Sequence, residues 1–351
     1  MIACNPASQQ YKIIDMASEP FKSVLAGVGG LVALRFLFSA YQFVTFHFWR
    51  PSHSLARYKR ADGDAYALIS GSSAGIGLGI GRALVHQGFG VILLGHLEDE
   101  LASAAKALVA ECPGAAAGRV RTLVLDCQAA SPEEISAAVA SISHLRVSIL
   151  VNNVGSATLT SPPALRPLAT LSIGEVDAHV DLNARFMARL TNRVLPLLAS
   201  SRTGTGSSSQ ERSLILNLSS VGRFGLPWLV MYGATKAFDY AFSLGLASEL
   251  EDDPATAHVD CLAVVPGEVR SQSNAGAAPG LAPTADEFGR MVVTAVDTAV
   301  RRGWREIRPD WRHDLIVTMM ERVLPAAWAT HFVREDMRVK KATVEAEAKR
   351  R

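Results

Sequence analysis

The stretch YALISGSSAGIG, residues 66–77, joins a short apolar run to a glycine-rich turn. The apolar run predicts a buried strand, and the pattern from the turn to about Gln87 predicts a helix directly after it. Glycines at 71, 75 and 77 allow a tight turn and let the backbone approach a bound pyrophosphate, whose charge a helix N-terminus favours. A plain glycine turn is the simpler alternative, so this stretch alone is weak evidence for a dinucleotide site.

The rest of the chain repeats the alternation of apolar runs and helical patterns. Further strands are predicted at 90–95, 121–126, 147–153, 213–220 and 258–267. Continuous Val, Ile and Leu runs separated by helices indicate a parallel sheet that is buried on both faces. We therefore predict a Rossmann-like, doubly wound α/β domain that binds its ligands at the carboxyl ends of the strands.

The segment YGATK, residues 232–236, places Tyr232 and Lys236 on one face of a predicted helix. A phenol is a poor acid near neutral pH, and an adjacent ammonium makes its proton transfer easier. Such a pair is common by chance, but Ser219 lies thirteen residues before the tyrosine at a predicted strand end, and Asn183 lies on an earlier helix. Ser219 can bond a substrate oxygen, and Asn183 can hold a water that links the lysine to solvent.

Together these motifs resemble the short-chain dehydrogenase/reductase family over about residues 65–275. The shared features, in chain order, are Gly71-xxx-Gly75-x-Gly77, Asn152-Asn153-Val154-Gly155, Asn183, Ser219 and Tyr232-xxx-Lys236. The resemblance implies an NAD(P)-dependent oxidoreductase acting on a carbonyl or hydroxyl group. It also implies that the catalytic residues are Asn183, Ser219, Tyr232 and Lys236.

The same resemblance implies a set of cofactor-binding residues. Asp126 would meet the adenine ring, Asn153 would stabilise the central strand beside the cofactor, and Lys236 would bond the nicotinamide ribose. Pro266-Gly267, at the end of the strand 258–267, and Val269 and Ser271 after it would line the nicotinamide. The whole set is Gly71, Ser73, Gly75, Ile76, Gly77, His96, Asp126, Asn153, Tyr232, Lys236, Pro266, Gly267, Val269 and Ser271.

Two positions depart from the family pattern. Ser70 stands where threonine is usual before Gly71, a change that keeps the hydroxyl. Ser219 and Ser220 are adjacent at the catalytic serine position. The thirteen-residue spacing and a gapless alignment of Gly222 favour Ser219, whereas a one-residue deletion in the following loop selects Ser220.

The end of the second strand, Leu94-Gly95-His96, bears on the choice between NAD and NADP. An NAD-specific enzyme places an acidic residue here to hold the ribose 2′-hydroxyl, and Gly95 cannot do so. In the reductase relatives an arginine commonly stands where His96 does, so His96 is a candidate contact for a 2′-phosphate. A solvated histidine is the alternative reading. The sequence therefore favours NADP over NAD.

The apolar run VLAGVGGLVALRFLFSAYQFVTFHFW, residues 24–49, is long enough to cross a bilayer. Arg35 interrupts it at a cost of about 2.5–3.5 kcal/mol on insertion scales, so a helix lying in the interface is the alternative. Basic residues follow at Arg50, Arg57, Lys59 and Arg60. Because basic flanks favour the cytosolic side, we predict one membrane anchor and a cytosolic catalytic domain.

A narrower resemblance links the chain to membrane-bound very-long-chain 3-oxoacyl-CoA reductases and their relatives, the 17β-hydroxysteroid dehydrogenases. It rests on the apolar segment, on FWRPSHSLARYKR (48–60), on the NNVG form at 152–155, on RFMARLTNRVLP (185–196) and on YGATKAFDYAFSLGLASELE (232–251). It implies anchoring in the endoplasmic reticulum, a role in lipid metabolism and a lipophilic carbonyl substrate, for which 3-oxoacyl-CoA is one candidate. A steroid or secondary-metabolite ketone is the alternative, because residues 272–283 do not match well enough to carry substrate identity.

The expected organisation is one catalytic domain with extensions. It consists of a tail at 1–23, the anchor at 24–49, a basic linker at 50–64, the domain at 65–335 and a charged tail at 336–351. Polar loops are expected at 200–212 and at 272–283, the second where a substrate-covering loop belongs.

Composition limits the other possibilities. With 351 residues, 49% hydrophobic and 19% charged, the chain can bury a sizeable core, and its net charge of +2 gives no reason to expect a nucleic-acid partner. The four cysteines are far apart and form no CxxC pair, which argues against a metal site or a disulfide framework and fits a reducing compartment. A non-catalytic binding protein with this fold is a third hypothesis, which the complete Ser–Tyr–Lys–Asn set argues against. The fold commonly forms homodimers.

Overall fold

The structure, a computed structural model, describes residues 6–49, 55–59, 64–116, 118–157, 159, 163, 165–200, 211–272, 274 and 282–348. The chain divides into two compact units, Met1–Arg50 and Pro51–Arg351. Most of the two loops expected at 200–212 and 272–283 lies outside the described residues.

The first unit contains one long helix, α1 (Pro6–His47). Its stretch Phe21–His47 has a mean hydropathy of 1.8, and its length and composition suffice to cross a membrane. Large apolar side chains such as Phe21 and Leu31 are about 70% exposed along it. The anchor expected at 24–49 therefore corresponds to a helix, but this helix begins within the segment expected to be an N-terminal tail.

The second unit is built on a parallel sheet that has, among the described residues, seven strands in the order β3-β2-β1-β4-β5-β6-β7. The strands are β1 (Tyr66–Ser70), β2 (Gly90–Gly95), β3 (Val120–Val124), β4 (Val147–Asn152), β5 (Ser213–Leu218), β6 (Val259–Val264) and β7 (Glu306–Ile307). Every residue of β1, β2, β4 and β5 is buried, as continuous apolar runs predict. The strand order reverses between β1 and β4, which opens a crevice at their carboxyl ends. The predicted doubly wound fold is confirmed.

The helices of this unit complete the α/β layers. They are α2 (Gly75–His86), α3 (Glu98–Glu111), α4 (Pro113–Ala116), α5 (Pro132–Ser141), α6 (Ile173–Val180), α7 (Phe186–Ser200), α8 (Val230–Asp252), α9 (Ala285–Arg301), α10 (Trp311–Arg322) and α11 (Ala326–Ala348). Capping boxes start α5, α6 and α9, where a serine or threonine and a glutamate three residues later satisfy each other's backbone N–H groups. Pairs of helices pack together, α2 on α9 and α5 on α7.

The segment expected to be a basic linker is partly built into the domain. Leu55 and Tyr58 are each only 1% exposed. The Tyr58 hydroxyl donates to Asp260 of β6 at 2.7 Å, and Arg212 pairs with the same carboxylate at 2.6 Å. Buried side chains therefore fasten residues 55–59 to the sheet, and the linker boundary expected at residue 64 stays a prediction.

The C-terminal boundary of the domain is expected after Glu335. The division predicted after Glu335 falls inside α11, which runs without a break from Ala326 to Ala348. Met337 is 3% exposed, and Lys340 pairs with Glu268 at 2.6 Å. The charged sequence of this region is the solvent side of a helix whose other side packs on the domain.

Candidate active site

The glycine-rich turn between β1 and α2 has the shape that a phosphate group requires. Gly71 and Gly75 have φ of +63° and +58°, a conformation that residues with a side chain rarely adopt. A Cβ at Gly77 would lie 2.3 Å from the Gly71 carbonyl oxygen, so no larger residue fits there. The N-cap residue of α2, Ala74, provides no side-chain hydrogen bond, so the first N–H groups of this helix can bind a ligand. These features fit the pyrophosphate of a dinucleotide.

Hydrogen bonds from the end of β4 hold this turn in place. The Asn153 amide donates to the carbonyl oxygens of Ser70 and Gly71 at 3.1 and 2.8 Å. In return, the Ser70 hydroxyl accepts from the backbone N–H groups of Asn153 and Val154 at 3.1 and 3.2 Å. The serine that replaces threonine at position 70 thus keeps the hydroxyl that joins β1 to β4.

The segment after β6 forms the opposite side of the same crevice. Pro266 and Val269 are buried, and the Pro266 carbonyl accepts from Val221 N at 3.0 Å. The Cβ of Ser271 would lie 3.6 Å from a Cβ at Gly75. The structure therefore brings Ser271, one of the predicted nicotinamide-lining residues, up to the glycine-rich turn.

The predicted residues His96, directly after β2, and Asp126, two residues after β3, are exposed at the carboxyl edge of the sheet. The Asp126 carboxylate accepts from the backbone N–H groups of Gln128 and Ala129 at 2.9 and 3.2 Å. It therefore shapes its own turn, and its predicted contact with an adenine ring remains a prediction, as does the phosphate contact of His96.

The two adjacent serines have different surroundings. The Ser219 hydroxyl is 2% exposed and donates to the Lys236 carbonyl oxygen at 2.6 Å, so its proton is engaged inside the protein. The Ser220 hydroxyl accepts from Gly222 N at 3.0 Å. A Cβ at Gly222 would lie 3.2 Å from Cε1 of Tyr232 and 3.4 Å from the Ser220 oxygen. Ser220 therefore borders the same small space as the Tyr232 ring, and the preference for Ser219 based on spacing lacks geometric support.

The side chains of Lys236 and Asn183 both lie beside Gly155. A Cβ at Gly155 would lie 3.1 Å from Lys236 Nζ and 3.2 Å from Asn183 Oδ1. Asn183 sits in a π-helical turn, Asp181–Arg185, and its amide exchanges hydrogen bonds with the Ser156 backbone at 2.8 and 3.0 Å. A π turn displaces backbone carbonyls from the regular helical bonding pattern and is frequent at functional sites.

The profile of the family described as "short chain dehydrogenase" matches residues 65–281. The chain belongs to this family. It is therefore an NAD(P)-dependent oxidoreductase that acts on a carbonyl or hydroxyl group, as the motifs predict.

Several members of the family are similar to this chain over most of its length. A very-long-chain 3-oxoacyl-CoA reductase of Coprinopsis cinerea is 29% identical over 90% of this chain and 89% of its own. A solved structure of a 3-oxoacyl-[acyl-carrier protein] reductase from Brucella melitensis in complex with NAD is 25% identical, with a TM-score of 0.58, over 71% of this chain and 96% of its own. A short-chain dehydrogenase from Sphingobium yanoikuyae in complex with NADPH is 24% identical, with a TM-score of 0.55, over 80% and 95%.

Three residues of this short-chain dehydrogenase site are absent from the sequence-based prediction. Glu100, in the first turn of α3, accepts from the Ser73 hydroxyl at 3.0 Å, so a carboxylate stands beside the glycine-rich turn although Gly95 has none. Asp239 pairs with Lys236 at 2.9 Å. The acidic start of α3 and an aspartate one helical turn after the lysine are visible in the sequence, but both look like ordinary charges on helices.

The third residue, His313 of α10, supports the Pro266-Gly267 segment from behind. Gly267 N donates to His313 Nδ1 at 3.2 Å, and a Cβ at Gly267 would lie 2.6 Å from His313 Cδ2. Burial lowers the pKa of His313 and outweighs the opposing attraction of Asp310. The imidazole therefore stays neutral at neutral pH, which is the form that accepts the Gly267 bond.

This arrangement predicts a pH-dependent contribution of His313 to stability. Since its pKa is lower in the folded than in the unfolded protein, the unfolded chain takes up the proton first, as pH falls through about 6.5. The stabilisation is complete above that pH and is lost below it. In His313→Asn, whose side-chain oxygen can accept the Gly267 bond without titrating, the free energy of unfolding should fall less between pH 7 and pH 5 than in the wild type.

Urea unfolding at a series of pH values measures this effect. His331→Asn, at an exposed position of α11, is the matched control and should keep the wild-type slope. Equal slopes for His313→Asn and the wild type would contradict the assignment.

Proposed function

We propose that this short-chain dehydrogenase is a membrane-anchored, NADPH-dependent ketone reductase for a lipophilic substrate, with 3-oxoacyl-CoA esters as the leading candidates. The observation that carries the proposal is that the Ser220 hydroxyl and the Tyr232 ring both border Gly222, while Lys236, one helical turn after Tyr232, borders Gly155 together with Asn183. The names of the Coprinopsis and Brucella relatives, both 3-oxoacyl reductases, support the substrate class. Purified full-length protein assayed with NADPH against 3-oxoacyl-CoA esters, steroid ketones and small ketones tests it.

The reaction divides between the cofactor and the protein. NADPH, when bound, supplies a hydride for the carbonyl carbon. The Tyr232 hydroxyl then donates its proton to the carbonyl oxygen. The buried ammonium of Lys236 provides positive charge next to the phenolate that forms, which lowers the energy of that charged state.

We assign polarisation of the carbonyl to Ser220 in place of Ser219. Its oxygen lies within 3.4 Å of the point at Gly222 that the Tyr232 ring also borders. No described residue accepts its proton, so the hydroxyl is available to donate to a substrate oxygen, whereas the Ser219 proton goes to the Lys236 carbonyl. Asn183, through its π turn, would keep a water near Lys236 that replaces the proton delivered by Tyr232.

Substitutions separate these roles. Tyr232→Phe removes the transferable proton and should lower kcat by about 10²–10⁴ with cofactor binding nearly unchanged. Ser220→Ala should lower kcat by about 10²–10³, the loss typical of one stabilising hydrogen-bond donor, while Ser219→Ala should cost less than about tenfold. Steady-state kinetics and NADPH titration measure both quantities. If Ser219→Ala is the more damaging of the two, the serine assignment is reversed, and a Tyr232→Phe variant with more than a tenth of wild-type kcat removes the tyrosine from its role.

The preference for NADPH rests on Gly95, which brings no carboxylate to the ribose, and on the exposed His96 at the same strand end. Glu100 works against it, because a carboxylate near the ribose repels a 2′-phosphate. Glu100→Gln keeps an acceptor for the Ser73 hydroxyl and removes the charge. We expect it to raise the ratio of kcat/KM for NADPH to that for NADH.

Glu98→Gln, two residues earlier and exposed, is the control for this substitution and should leave the ratio nearly unchanged. A wild-type protein that already prefers NADH would refute the NADPH proposal. A ratio that does not rise in Glu100→Gln would remove Glu100 from the account of cofactor choice.

The membrane part of the proposal concerns Phe21–His47. This stretch has the length and hydropathy of a membrane span, which we place in the membrane of the endoplasmic reticulum. The basic residues after it favour a cytosolic location for residues 50–351. A spanning protein should stay in the membrane pellet after alkaline carbonate extraction. The catalytic domain should be digested by protease added to intact microsomes. Release by carbonate would argue for a helix lying in the interface, and protection from protease would reverse the orientation.

A further inference from the structure

Asp239 is a buried acid that the proposed reaction does not use. It lies on α8, three residues after Lys236, and is 1% exposed. Its Oδ2 accepts from Lys236 Nζ at 2.9 Å, while its Oδ1 has no hydrogen-bond partner among the described residues. Burying a carboxylate with one unsatisfied oxygen is costly, so an acid at this position needs a compensating interaction. The lysine supplies it.

The two charges attract each other, and burial opposes the ionised form of both, so that the pKa of Asp239 is raised despite the attraction of Lys236. Burial acts to lower the pKa of Lys236, but the attraction of Asp239 and of Tyr232 outweighs it, and the pKa is raised. Lys236 Nζ also donates to the Leu218 carbonyl at 2.8 Å. The ammonium is thus fixed by two acceptors, one charged and one neutral, and remains next to Tyr232.

The other groups packed around α8 leave this balance unchanged. On β6, burial raises the pKa of Cys261 to about 12, so its thiol stays neutral. On α6, His179 is bonded to the backbone carbonyl of Glu175. On β7, Glu306 is paired with Arg223 and Arg308. The charged and titratable groups that act on the Lys236 ammonium are Asp239 and Tyr232.

We propose that Asp239 is a positioning residue for the reduction, which keeps the buried Lys236 ammonium charged and in place beside Tyr232. It acts through Lys236, and no contact with substrate or cofactor is assigned to it. The inference rests on the proposed function, since it gives Asp239 a role in the same proton transfer.

Removal of the carboxylate has a consequence that a purely structural residue would not produce. A buried lysine without its anion loses its proton at a lower pH. The phenolate that forms on Tyr232 then lacks a neighbouring positive charge at alkaline pH. The rate should fall on the alkaline side and recover as the pH is lowered.

The test compares the pH profiles of kcat of full-length wild type, Asp239→Asn and Asp239→Glu, with acetoacetyl-CoA and NADPH. In Asp239→Asn we expect the alkaline limb to move at least about one pH unit lower, since a shift of one unit corresponds to a tenfold change in the protonation equilibrium. The KM for NADPH should stay within about threefold. Asp239→Glu keeps the negative charge and should retain the alkaline limb of the wild-type pH profile. The control is Asp252→Asn, which removes an exposed acid at the end of the same helix and should leave the profile unchanged. A uniform loss of kcat without a shift of the limb would overturn the proposal.

A second readout does not depend on turnover. In protein with ¹³C-labelled lysine, the Cε resonance that disappears in Lys236→Arg reports the protonation of Lys236 directly. It should titrate at lower pH in Asp239→Asn than in the wild type, and an unchanged titration would refute the inference. If the wild type reduces no ketone but this titration still shifts, the proposed function fails while the coupling of Asp239 to Lys236 stands.

Discussion

The junction between β1 and β4 is the contact on which the rest of the site depends. The strand order reverses there, so the segments that follow β1 and β4 run in opposite directions from the sheet and leave a crevice between them. The side chains of Ser70 and Asn153 close the gap that would otherwise expose unpaired backbone groups, each bonding the backbone of the other strand. Because these bonds set the glycine-rich turn against β4, they also set the distance between the cofactor cleft and the helix that carries Tyr232 and Lys236.

A layer of buried polar side chains lies below this edge and limits how the helices can pack. The Asn152 amide donates to Asn217 and to Thr191 at 2.8 Å each, and the Asn217 amide donates to Ser243 of α8 at 2.9 Å. Buried polar groups of this kind are costly unless they are paired, so a shift of α8 along the sheet would break the chain of bonds. The layer therefore fixes the height of α8, and with it the level of Tyr232 and Lys236 relative to the strand ends.

The domain is held together beyond the part that the family pattern covers. Residues 55–59 are fastened to β6 through Tyr58 and Asp260, and α11 reaches back to the Pro266-Gly267 segment through Lys340 and Glu268. Together with His313, the contact of Lys340 means that elements after the matched region support the proposed nicotinamide side of the cleft. Substitutions far from Tyr232 in sequence can therefore alter cofactor binding through the shape of this segment.

Apart from the two-residue strand β7, which it did not predict, the sequence by itself determined the fold class, the strand positions, the glycine-rich turn, the Tyr–Lys pair and the apolar N-terminal helix. These features are local, because hydrophobic periodicity, glycine at positive φ and helical spacing act over a few residues. Only the tertiary structure showed the different surroundings of Ser219 and Ser220 on which the proposed choice of Ser220 rests, since they depend on how the turn Val221–Phe224 packs beside Tyr232. It alone gave significance to Glu100, Asp239 and His313, which look like ordinary helix residues until the fold brings them to the glycine-rich turn, the lysine and Gly267. The packing of residues 55–59 and of α11 on the domain is visible only in the structure for the same reason, because a charged segment shows its packed face only when the surface that it covers is present.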